Sequence, residues 1–79
     1  MRSRAGVIVK YLVVIEKGRR SWGAHVPDLP GCVAVAKTRA QLLKLIKETL
    51  EFHIEGLKEA GDKVPFPRSE GTVISIKSL

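Results

Sequence analysis

The stretch from Val7 to Glu16, VIVKYLVVIE, is rich in valine and isoleucine and reads as a β-strand. Tyr11, Val13 and Ile15 fall on one side of it and Leu12 and Val14 on the other, so its centre is apolar on both faces. A strand of that kind is covered on both sides. EKGRRS follows, with Gly18 among four charged residues, and suits a hairpin tip. SWGAHV then alternates, Trp22, Ala24 and Val26 on one face and Gly23 and His25 on the other. CVAVA, beyond a proline-rich loop, makes a third short strand.

Thr38 opens a helix. TRAQ fits a capping box, with the Thr38 hydroxyl accepting from an N–H three residues on and Gln41 reaching back; such a cap contributes ~1 kcal/mol. Leu42, Leu43, Ile46, Leu50, Ile54 and Leu57 follow at helical spacing, with Lys44, Lys47, Glu48, Glu51, Glu55 and Lys58 on the other face. Gly61 stops the helix, and Pro65 and Pro67 lie beyond it. GTVISIKSL alternates again and reads as a fourth strand. The pattern predicts an α+β fold, β-β-β-α-β, a small antiparallel-rich sheet with one long helix on one face. That helix covers one face only. The doubly apolar first strand therefore calls for a second cover, most simply another copy of the chain, through Tyr11, Val13 and Ile15 or Leu12 and Val14.

Seventy-nine residues make one domain, 1–79, with residues 1–6 expected as a disordered basic tail. A domain of this size buries only roughly 60% of its unfolded surface, which favours self-association into a homodimer or larger homo-oligomer. A single cysteine forms no internal disulfide, and no Cys/His cluster has zinc spacing. The N-terminal apolar run is interrupted by Lys10 and stopped by Glu16, so it matches neither a spanning helix nor a signal peptide. The expected compartment is the cytoplasm, with no membrane association. Charge refines this picture. Six basic residues against Glu16 alone give residues 1–20 a net of +5, most of the chain's +6. An anionic partner and a solvated tail with a charged hairpin tip account for it equally well.

The loop PDLPGC carries the residues that most resemble a site. Pro30 and Gly31 suit the centre of a type II turn, and Asp28 suits an acceptor of N–H groups within the loop. Cys32 as a nucleophile or Asp28 as a metal ligand is the competing reading. A lone cysteine entering an apolar strand is usually a small buried hydrophobe, and a lone carboxylate makes a poor divalent-metal site. Pro27, Asp28, Leu29, Pro30 and Gly31 are therefore read as a structural turn. His53 lies on the helix's apolar stripe without an evident nucleophile or acid beside it. No phosphate-cradling glycine loop and no Ser-His-Asp pattern is present. The sequence calls for no catalytic residue, no metal and no cofactor.

Tyr11 and Trp22, on neighbouring strands, with Arg19 and Arg20 nearby, form a candidate nucleic-acid surface of stacking rings and phosphate-binding cations. Core packing accounts for the same two rings.

Taken together, YLVVIEKG, WGAHVPDLPGCVAVAKTR, LEFHIEGLKEAG and the trailing VPFP resemble the HicB family of antitoxins, over about Tyr11 to Pro67. The resemblance implies a truncated, partial ribonuclease H-like fold that lacks that enzyme's carboxylate cluster. It implies a non-enzymatic partner for HicA, a small mRNA-cleaving toxin whose active site the antitoxin covers, and assembly as dimers or larger. Many members continue into a C-terminal DNA-binding domain; this chain is expected to have none. A cover for a basic ribonuclease is expected to be acidic, which singles out Glu48, Glu51, Glu55 and Glu59 on the helix as candidate toxin-facing residues. The alternative is a stand-alone nucleic-acid-binding homo-oligomer using the basic N-terminal third.

Overall fold

A computed structural model describes residues 8–77. Three strands, β1 (Val14–Lys17), β2 (Trp22–His25) and β3 (Val33–Ala36), pair antiparallel in the order β1-β2-β3, and one helix, α1 (Arg39–Glu59), follows. The expected basic tail, residues 1–6, lies outside the described residues. The α+β architecture of a small antiparallel sheet and a single long helix is as the pattern predicts.

Register explains the two faces of the sheet. Ile15 pairs with Ala24 and Ala24 with Ala34, a row that faces α1; Val14, His25 and Val33 form the neighbouring row on the other face. The small Ala24 and Ala34 let the helix approach closely, and Leu42 and Ile46 from α1 complete the core with Val26, Leu29 and Cys32. Tyr11, Val13, Ile15 and Trp22 pack around this core from the same side. On the opposite face Val33 and Val35 stay 59% and 65% exposed.

Both ends of α1 follow from the sequence. Thr38 is extended and its Oγ1 accepts from the Gln41 N–H at 3.1 Å. At the other end Gly61 has φ +78°, the left-handed conformation that glycine reaches without Cβ strain. The Gly61 N–H donates to the Lys58 carbonyl and the Asp62 N–H to the Leu57 carbonyl, a Schellman motif.

Two elements differ from expectation. Only the end of the first apolar run is paired, because β2 reaches no farther along it than Val14, opposite His25, before the chain turns at Pro27. The fourth strand of the β-β-β-α-β pattern is not formed: residues 71–77 carry no strand and are exposed throughout. A strand needs a partner for its backbone N–H and C=O groups. Among the described residues no strand pairs with this segment.

Candidate functional site

The proline loop is two consecutive turns. The Leu29 N–H donates to the Val26 carbonyl at 3.0 Å and the Cys32 N–H to the Leu29 carbonyl at 3.0 Å. Pro30 and Gly31 are central in the second, and Gly31 has φ +86°, as a type II turn requires. The turns drive Leu29 and Cys32 inward until each is 1% exposed. Burial pushes the Cys32 thiol above its ordinary pKa, which disfavours the nucleophilic thiolate.

Asp28 has a longer reach than a turn aspartate. Its carboxylate accepts from the Arg68 N–H at 2.7 Å, the Ser69 N–H at 2.8 Å and the Ser69 hydroxyl at 2.8 Å. These donors lie about forty positions along the chain, not within the loop as the turn chemistry suggests. Sequence spacing carries no signal for such a contact. With Tyr11 donating its O–H to the Pro65 carbonyl, Asp28 fastens the segment after α1 across the body as a strap.

The Ser69 N–H, then the Arg68 N–H, hold the Asp28 carboxyl below its ordinary pKa of 3.8, against an opposing push from burial. A depressed folded-state pKa means that the unfolded chain takes up the proton first as pH falls. The strap's contribution to stability is therefore complete above roughly pH 4 and is lost as pH drops through the folded-state value. Asp28→Asn is expected to destabilise the chain at pH 6, and its deficit against wild type to shrink by pH 3. Urea unfolding at the two pH values checks this; an unchanged deficit would show that the carboxylate charge is immaterial.

Among the described residues no group of three or more His, Cys, Asp and Glu is arranged to hold a metal ion. His53 is half-buried, and a Cβ built on Gly31 would lie 3.9 Å from its Cε1. His25 is exposed on the face away from α1.

The solvent face of α1 is chemically the most distinctive surface. At 3.6 residues per turn, Glu48, Glu51, Phe52, Glu55 and Glu59 fall within an arc of about 100°, opposite buried Leu42 and Ile46. All four glutamates are exposed, and Phe52 is 82% exposed among them. Residues 48–59 hold four acidic groups against Lys58 alone, a net of −3 in a chain of +6. Phe52 is thus an exposed hydrophobic ring bordered by carboxylates. Phe52 is the residue that pattern reading passed over. Its place among the glutamates is a helical-wheel position, but its exposure is what marks it.

A family model for the HicB-like antitoxin of bacterial toxin-antitoxin systems matches residues 11–77. The chain belongs to the HicB-like antitoxin family. A UPF0150 protein of Thermoplasma acidophilum is 38% identical over 63 residues, covering 78% of this chain and 91% of that protein. An uncharacterized 14.9 kDa protein of Haemophilus phage HP1 is 36% identical over 55 residues, covering 70% of this chain but 41% of the phage protein. A UPF0150 protein of Helicobacter pylori is 36% identical over 62 residues, 78% of this chain and 83% of that protein. No solved structure is a significant match. No helix among the described residues is long and apolar enough to cross a membrane.

In this HicB-like chain the other candidate residues are dispersed. Arg19 and Arg20 are exposed at the β1–β2 tip, where the Gly18 N–H donates to the Ser21 carbonyl at 2.7 Å. Trp22 is half-buried, with the Lys17 ammonium 5.6 Å from its ring centroid. Trp22 lies opposite Lys17, and Tyr11 is six positions back, on the order of 20 Å along an extended chain. Both rings pack against the core cluster of their own chain. Tyr11, Val13 and Ile15 pack on the core of their own chain, while Leu12 and Val14, both half-buried, fall on the alternate side of the run.

Proposed function

We propose that this HicB-like chain is a binding protein that masks a small, HicA-type mRNA-cleaving toxin, using the acidic face of α1 with Phe52 at its centre. The carrying observation is that exposed phenylalanine among Glu48, Glu51, Glu55 and Glu59. A ribonuclease must gather cations over the phosphates of its substrate, so its working face is positive. The acidic C-terminal part of α1, residues 48–59, complements that face and speeds encounter, and an aromatic side chain entering a pocket supplies the short-range anchor. The net +6 of the whole chain does not oppose this, because its excess sits in the first twenty residues, whereas residues 48–59 of α1, a helix neutral as a whole, carry −3. The chain acts by covering its partner, without chemistry of its own, in the cytoplasm where messenger RNA is met. Self-association covers sheet surface that one copy leaves open.

Co-expression of the tagged chain with a HicA-type toxin tests the reading. The pair is expected to co-purify after nuclease treatment and to separate progressively as salt rises. Retention of nucleic acid alone, lost on nuclease treatment and abolished by Arg19→Glu with Arg20→Glu, would contradict it and favour the basic hairpin tip as the working surface.

A further inference from the structure

We infer that Gly71–Lys77 is a strand donated to a second copy of this chain, where it pairs with the outer edge of β1. The inference rests on the self-association proposed above and specifies its geometry. β1 stands at the end of the order β1-β2-β3, so among the described residues one of its edges has no partner. An open edge is a template for another strand. The chain also carries an unpaired strand-forming sequence: Thr72, Val73, Ile74 and Ile76 are β-branched, and Val73, Ile74 and Ile76 are 95%, 75% and 75% exposed. Such exposure is unusual for consecutive large apolar side chains.

The two surfaces match in pattern. In a strand Ile74 and Ile76 fall on one face and Val73 on the other. Ile74 and Ile76 would continue the helix-side layer of Val13 and Ile15, and Val73 would lie with Leu12 and Val14. The course of the chain favours β1 over the β3 edge. Asp28 holds Ser69, and a Cβ built on Gly71 would be 3.4 Å from Leu12 Cδ1, so the segment departs beside the run that leads into β1. From there residues 71–77 are exposed throughout and carry no strand. A donor segment and its acceptor edge on one chain, lying side by side, are satisfied reciprocally by a two-fold related copy.

The test uses the full chain with Cys32→Ser and new cysteines at Val14→Cys and Val73→Cys, with Leu12→Cys and Val73→Cys as a second pairing. Mild oxidation is followed by denaturing electrophoresis, and the wild-type mass in solution is measured by light scattering. A dimer-sized disulfide band, a dimeric wild type and a monomeric Ile74→Asp, Ile76→Asp variant are expected. Both isoleucines are exposed in the single chain, so that variant retains its core. A dimeric wild type whose cysteines close within one chain, or do not close in either pairing, overturns the strand exchange and leaves self-association standing. A monomeric wild type overturns both.

Discussion

Leu42→Ala is expected to cost about 2–5 kcal/mol, the usual range for truncating a fully buried leucine. Leu42 is 0% exposed, at the point where α1 meets the sheet. A chain of this length holds on the order of 4–12 kcal/mol in total, so the single substitution removes a large part of it. The melting temperature should fall by at least ~8 °C, since each kcal/mol shifts a domain of this size by about 4–8 °C. Leu43→Ala, one position on and 39% exposed, is the control and should shift it far less. Equal shifts for the two would mean that α1 is not seated on the face described.

Phe52→Ala should behave in the opposite way. Its ring is 82% exposed in the free chain, so truncation is expected to change folding stability by no more than ~0.5 kcal/mol. In a complex with a HicA-type toxin the same change should cost about 2 kcal/mol, the scale of an interface anchor, or roughly 30-fold in Kd. Reversing Glu51 and Glu55 to lysine should mainly slow association and flatten its dependence on salt. Calorimetric titration with circular dichroism as the folding check separates the two outcomes. Unchanged affinity for Phe52→Ala, with the double reversal also silent, would move the contact surface off α1.

Much of this architecture was legible in the chain because local chemistry fixes it. Thr38 and Gly61 mark the helix ends, Pro30 and Gly31 specify their turn, and the alternation around Trp22 and Ala24 sets the buried face. Contacts between distant segments were not. Nothing near Asp28 announces that its carboxylate will take the N–H groups of Arg68 and Ser69, and the alternation of residues 72–76 states that a strand is possible without stating where its partner lies. The acidic helix face was visible as four glutamates. Its centre was not, because Phe52 counts as one more apolar residue until its exposure is known. Tyr11 and Trp22 illustrate the converse: two aromatics in neighbouring segments suggest a platform, and both pack against the core of their own chain.

The activity proposed for this chain is the masking of a toxin. The most direct measurement is the RNA-cleavage rate of a purified HicA-type toxin as the chain is titrated against it, with Phe52→Ala and Glu51→Lys, Glu55→Lys run alongside. Cleavage is expected to fall to background at a fixed stoichiometry with wild type, and the variants to need a clear excess. A toxin that remains fully active in excess wild-type chain would contradict the account.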